Sequence, residues 1–307
     1  MFKKWIINAS EKAMELEAQS QTELVRKADV YIGLNAQENA MELGDIPREK
    51  MFAFVRSQKE LVAERTRRRN LACMVPTPAM AQVNQMSTDA FSRYFFGAVT
   101  YDFDRQRQDL AALQRRMEQA ETVRITAPDT DLTMKLGKIP VIVCDGKVNL
   151  PDGEVFTAPV VDSVQGTIRF NAPSTYRGRR FENVRLTFRD GKVVEATAND
   201  PVIHQILDTD PGCRFLGEFA VGTNPMVTQP MANVLFDEKL CGSIRLALGD
   251  SYPFADNGNK AGIHWDLVLM MQPERGGGQL YFDGELIMDN GRFLPPDLQE
   301  LNSSAQG

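Results

Sequence analysis

The chain has 307 residues, 43% hydrophobic and 25% charged, with 35 Lys plus Arg against 41 Asp plus Glu and a formal net charge of −6. This balance excludes disorder as a class and suits a globular protein of about two domains. An acidic chain argues against nucleic acid as a partner, and no apolar run approaches the roughly 20 residues of a membrane span, so neither partner is expected.

The N-terminus, Met1-Phe2-Lys3-Lys4-Trp5-Ile6-Ile7, carries an apolar burst that stops at Asn8-Ala9-Ser10-Glu11, too short for a signal peptide. Residues 11–27 are rich in helix formers, and Ala28–Leu34 reads as a strand. Residues 47–68 read as one helix. Pro47 stands at its start, and Met51, Phe54, Val55, Leu61 and Val62 form an apolar face. The basic run Arg65–Arg69 complements the dipole at its C-terminal end. Asn70–Val75 is a strand stopped by Pro76 and Pro78, residues 102–120 a helix, and Thr122–Thr126 a strand. Helices alternating with strands predict an α/β N-terminal domain with a parallel sheet over residues 1–140. No strand is followed by a Gly-rich phosphate loop.

After residue 140 the punctuation changes to Asp145-Gly146, Asp152-Gly153, Asp190-Gly191, Asp283-Gly284 and Asn290-Gly291, dipeptides suited to tight hairpins. Hairpins are expected at 184–188/192–196 and 279–282/285–288. Residues 141–307 therefore read as a mostly antiparallel β domain, an α+β arrangement. The small polar tail Leu301–Gly307 is expected to fray.

Only two histidines are present, His204 and His264, so a three-histidine zinc site within one chain is impossible. Cys73, Cys144, Cys213 and Cys241 lack the spacing of a zinc knuckle or redox motif and read as reduced thiols in a cytoplasmic protein. Three segments place carboxylates in apolar surroundings. Glu154 opens a strand after a turn, or simply ends a hairpin. Glu218 interrupts the apolar run Phe215–Gly222, where a buried charge needs a partner such as an arginine. His264 and Asp266 share one face of a strand, which leaves both a metal pair and a hydrogen-bonded structural pair open.

Several stretches together resemble the thermophilic metallo-aminopeptidases, the aminopeptidase T and aminopeptidase S family. They are Pro151–Pro159, Leu216-Gly217-Glu218, Leu235–Lys239, Leu246–Pro253 and Ile263–Val268, in matching order and rough spacing. The resemblance covers roughly residues 28–295 and is strongest from 149 on. It implies a metallopeptidase-like C-terminal domain that removes N-terminal residues from short peptides. One or two divalent metals (Zn, Co or Mn) are implied per chain, together with a homodimeric assembly. Carried over by position, Glu154, Glu218, Glu238, His264 and Asp266 fall on ligand or near-ligand positions, with Glu218 as the bridge between metals. Tyr252 falls on a residue that stabilises the tetrahedral intermediate, and Glu154 joins it in the catalytic set.

Two departures accompany the resemblance. Arg245 stands where the family has a histidine ligand. An arginine keeps its proton and cannot ligate a metal, so Arg245 is expected to replace one cation and to attract Glu218 or Glu238. The family also has a further βα portion before residue 28, so the N-terminal sheet is expected to be incomplete. Arg245 keeps a second reading in view, a catalytically silent relative that binds a ligand or partner. A third, a single-metal oxygenase with a two-His, one-carboxylate triad, would need His204, which reads as structural in the helix start Pro201–Leu207.

Overall fold

A computed structural model describes residues 2–302 except 37, 40 and 232; the part of the tail from 303 onward lies outside the described residues. Two compact units are present. The first comprises the chain up to Ser92 with Lys147–Leu150 and Arg177–Arg179; the second comprises Arg93–Gly146, Pro151–Tyr176 and the chain from Arg180. The helix Arg107–Gln119 and the strand Thr122–Ala127, expected ahead of a boundary at residue 140, belong to the second unit.

In the first unit, Val30–Asn35 and Arg69–Met74 pair in parallel, and the two-residue strand Asn149–Leu150 adds in parallel beside the second. The helix Glu11–Arg26 starts where Ser10 accepts a hydrogen bond from Ala13 N–H, the usual N-cap device. The single helix expected over 47–68 is two, Arg48–Ser57 and Lys59–Arg67. At Gln58 one amide is shared between the carbonyls of Phe54 and Val55, which loosens the ladder. The basic run is spent on local pairs: Arg68 and Arg67 reach Glu64 at 2.7 and 3.3 Å, and Arg65 lies over the Tyr31 ring.

The second unit is built from two antiparallel sheets. The larger runs in the order Lys192–Thr197, Arg185–Arg189, Gln165–Arg169, Thr130–Lys135, Thr122–Ala127, Gln279–Phe282, Glu285–Asp289, Arg292–Phe293. The strand expected at 122–126 in a parallel sheet is therefore an inner strand of an antiparallel one. A hairpin at Pro128-Asp129, with Asp129 at φ 55°, pairs it with a strand that the periodicity did not announce. The turns at Asp190-Gly191, Asp283-Gly284 and Asn290-Gly291 have positive φ at both residues, as two-residue hairpins need. In Asp145-Gly146 and Asp152-Gly153 only the glycine does, and both lie in the longer connection between the antiparallel strands Ile142–Cys144 and Glu154–Thr157. Leu301, placed in a fraying tail by its sequence, is fully buried at the end of the turn Pro296–Leu301.

The smaller sheet carries the site. Its order is His264–Met270, Ser243–Gly249, Leu216–Gly222, Glu154–Thr157, Ile142–Cys144. The pairings place Phe219, Val221, Ile244, Leu246, Leu248, Trp265 and Leu267 on one face, in the core shared with the larger sheet and the helix Arg107–Gln119. The opposite face presents Glu154, Glu218, Arg245, His264 and Asp266, separated by the small residues Ala220, Gly222 and Ala247.

Candidate metal centre

One irregularity makes that face possible. Leu216 pairs with Leu248 and Glu218 with Ala247, so Gly217 is an extra residue in the ladder. The bulge turns Leu216 into the core and Glu218 to the site, although residues two apart normally share a face. A side chain at Gly217 would meet the Gly249 carbonyl oxygen at 2.4 Å. Glu154 is placed by a comparable constraint. Gly153 at φ +116° leads into its strand, where a Cβ would come within 2.8 Å of Asn224 Cβ.

Arg245 occupies the centre. Its guanidinium bonds Glu154 Oε2 at 2.8 Å, Glu218 Oε1 and Asp266 Oδ1, and lies 3.3 Å from Glu238 Oε2. Only 2% of Arg245 is exposed. The cation expected to attract Glu218 or Glu238 thus meets both, and two more carboxylates besides. A second cation, unassigned by the sequence reading, lies alongside. Lys239 is fully buried, with its ammonium 2.6 Å from Glu154 Oε1, 2.8 Å from Glu238 Oε1 and 3.3 Å from Asp152 Oδ1. In the sequence its only signal is its place directly after two acids in the resemblance stretch Leu235–Lys239.

The electrostatics follow from this crowding. Desolvation opposes charge on Lys239 and Arg245, but the surrounding carboxylates, Glu154 first, hold both pKa values well above their usual ones. Burial raises the carboxyls of Glu154 and Glu218, with Arg245 pulling each back down. For Asp266 the balance falls the other way: burial works against its charge, and Arg245 with His264 outweighs it, taking its pKa below the usual range.

One part of the cluster stays open. His264 Nε2 lies 3.3 Å from Glu218 Oε2 and 3.4 Å from Asp266 Oδ1. Glu218 Oε2 and His264 Nε2 are buried without a hydrogen-bond partner. Ligand atoms of Glu218, His264 and Asp266 all lie within 4.8 Å of one another. His264 Nδ1 is 2.8 Å from the Asp250 carbonyl and donates there; burial opposes a charge on the ring, but Asp266 and Glu218 hold its pKa well above the usual one, so a metal ion would take the place of the Nε2 proton between them. These residues fit one divalent ion. They do not fit a second at Glu154, because both of its oxygens already accept from Lys239 and Arg245.

Tyr252, 39% exposed, sets its ring 4.9 Å from that of His264 and stacks on Phe254 at 5.2 Å. Desolvation, then Glu218 and Asp266, raise its phenol pKa well above 10, so it remains a hydrogen-bond donor. His204 is exposed on the helix Val202–Leu207 and is not part of the donor group, so a two-histidine triad is not assembled.

Residues 3–293 match the profile of the thermophilic metalloprotease (M29) family. The chain belongs to that family. Among relatives of this M29 chain, aminopeptidase AmpS of Bacillus subtilis is 35% identical over 157 residues, 46% of this chain and 38% of its own length. Aminopeptidase PepS of Streptococcus thermophilus is 30% identical over 218 residues, 62% of this chain and 50% of its own. Aminopeptidase T of Thermus aquaticus is 36% identical over 167 residues, 48% of this chain and 38% of its own. The M29 chain thus spans half or less of the length of these curated relatives. The structure of wild-type AmpT from Thermus thermophilus shares the fold at a TM-score of 0.77 and 20% identity, over 95% of this chain and 84% of that one. A 2,5-dihydroxypyridine dioxygenase from Pseudomonas putida KT2440 also shares it, at 0.55 and 13%, over 94% and 99%. Among the described residues, no helix of the M29 chain is long and apolar enough to cross a membrane.

Proposed function

We propose that this chain is a single-metal aminopeptidase-type hydrolase, weakened relative to a two-metal enzyme, that removes N-terminal residues from short peptides. The carrying observation is the open donor set Glu218–His264–Asp266 beside a carboxylate cage already filled by Arg245. The names of its relatives, all aminopeptidases, support the reaction class. A divalent ion held by those three residues would act as a Lewis acid on the scissile carbonyl.

The chain's own residues supply the rest. Arg245 fixes the orientation of Glu218 and Asp266 and takes Glu218 Oε1, so only Glu218 Oε2 would remain to help hold an ion. Glu154, held at both oxygens, becomes a structural anchor rather than a catalytic group. Glu238 lines the adjacent cavity, where Lys239 at 2.8 Å and Arg245 at 3.3 Å hold its two oxygens in the same way. Tyr252 donates to the developing oxyanion. A homodimer is the assembly that the family resemblance supports, and a cytoplasmic setting is supported by four free cysteines.

The test is hydrolysis of leucyl and phenylalanyl reporters by protein loaded with zinc, cobalt or manganese. Activity that chelator removes and metal restores supports the proposal; none at any metal level contradicts it. The buried four-carboxylate cage around Arg245 favours one alternative, a silent relative that binds a ligand, and that alternative predicts the second outcome.

A further inference from the structure

The loop 250–263 joins the strands Ser243–Gly249 and His264–Met270 and has no helix or strand of its own. It bears on the site twice. Tyr252 sets its ring against that of His264, and the Asp250 carbonyl receives His264 Nδ1. A loop of this length holds one conformation only where its backbone is secured from outside. Two asparagines secure it. Asn257 Nδ2 donates to the carbonyls of Pro159 and Leu216, each at 2.8 Å, and its Oδ1 accepts from the Asn259 amide at 3.0 Å. Asn259, 8% exposed, donates from Nδ2 to the carbonyls of Gly212 at 2.9 Å and Gly249 at 2.6 Å. Its own carbonyl accepts from the amide of Ser251, the residue before Tyr252, at 3.3 Å. Between them, Ala255 is buried with Phe156 and Ala220 on the site face of the smaller sheet.

We infer that Asn257 is a positioning residue: it fastens the Tyr252 loop to the strand that carries Glu218, so that the phenol donor and the metal ligand are held as one unit. The inference rests on the aminopeptidase reading for what Tyr252 does, and adds what holds it in place. Leu216, whose carbonyl Asn257 grips, directly precedes the Gly217 bulge. Gly217 in turn packs on the start of the same loop, where a Cβ would meet the carbonyl oxygens of Gly249 at 2.4 Å and Asp250 at 2.5 Å. Loop and bulge thus meet twice, by close packing at Gly217 and by a hydrogen bond at Leu216. A donor fixed in advance needs no reorganisation as charge develops, so its anchoring acts on rate.

Asn257→Asp keeps the size and the acceptor for the Asn259 amide but removes both donated bonds. Asn257→Ala removes them without adding a charge. Each protein is labelled with 3-fluorotyrosine, and the Tyr252 fluorine line is assigned by its absence from Tyr252→Phe among the chain's six tyrosines. In both variants that line should move while the other tyrosine lines stay. With zinc and a leucyl reporter, kcat should fall about tenfold or more at little-changed KM, the cost of a misplaced group. Tyr252→Phe, which should cost about 100-fold in wild type, should cost less than about tenfold on top of Asn257→Asp, because the two residues act together. A Tyr252 line unmoved in the folded variants, or an undiminished cost of Tyr252→Phe, would overturn the inference. Collapse of every tyrosine line in both variants would make Asn257 a residue of the fold rather than of the site, and would overturn it too. A moved Tyr252 line in a protein that hydrolyses nothing would overturn only the peptidase reading.

Discussion

Arg245 Nη2 lies 2.8 Å from Glu154 Oε2, with Lys239 Nζ 2.6 Å from the other oxygen of the same carboxylate. A carboxylate gripped at both oxygens by buried cations is part of an ionic core. Such a core contributes little over an apolar one when intact, yet removing one partner strands the others. Arg245→Met leaves Glu218 Oε1 and Asp266 Oδ1 without their cation and should cost about 3–5 kcal/mol in urea unfolding. Zinc should restore part of that loss, since Glu218, Glu238, Asp266 and one oxygen of Glu154 would then lack the Arg245 cation. A loss below about 1 kcal/mol would show that the ion pairs are not the organising contacts.

Gly217 is the second structural requirement. A methyl group there meets a backbone oxygen at 2.4 Å, so Gly217→Ala should destabilise the chain by about 3 kcal/mol through overpacking. It should also lower metal affinity by shifting Glu218. Unchanged stability with unchanged metal affinity would mean that the bulge does not set the position of Glu218.

Much of this site was legible before the fold. His264 and Asp266 share a face because a strand repeats every two residues, and their side chains do meet at 3.4 Å. The chemistry of arginine alone indicated that residue 245 would act as a cation. Other features were hidden because they depend on long-range pairing. Nothing local tells Thr122–Ala127 that its neighbours will be residues 130–135 and 279–282. Without the bulge at Gly217, Leu216 and Glu218 would be assigned to one face. Lys239 resembles a surface lysine until its neighbour Glu238 and the distant Asp152 and Glu154 close around it.

Asp237 gives the chain a pH signature. Burial pushes its pKa up to about 7, although its oxygens accept from the amides of Met231 and Asn233. An acid whose pKa rises on folding holds its proton more tightly in the native state. Its contribution therefore falls as pH rises from the unfolded value of 3.8 to about 7, and is flat above that. Urea midpoints for wild type and Asp237→Asn between pH 4 and 8 should show this component in wild type alone. Parallel profiles would contradict it.

Tyr252 should act on rate rather than on binding. Tyr252→Phe removes the phenol donor but keeps the ring against His264 and Phe254. It should lower kcat about 100-fold or more, with little change in KM or metal content. A rise in KM at constant kcat would recast the residue as a wall of the substrate site.

The account turns on Arg245 standing in for one metal while Glu218, His264 and Asp266 hold another. The direct measurement is zinc content per chain by elemental analysis, after chelator-free purification and zinc soaking, for wild type and Arg245→His. The account predicts one zinc per chain in wild type and two in Arg245→His. Two in wild type, none in wild type, or no increase in Arg245→His would contradict it.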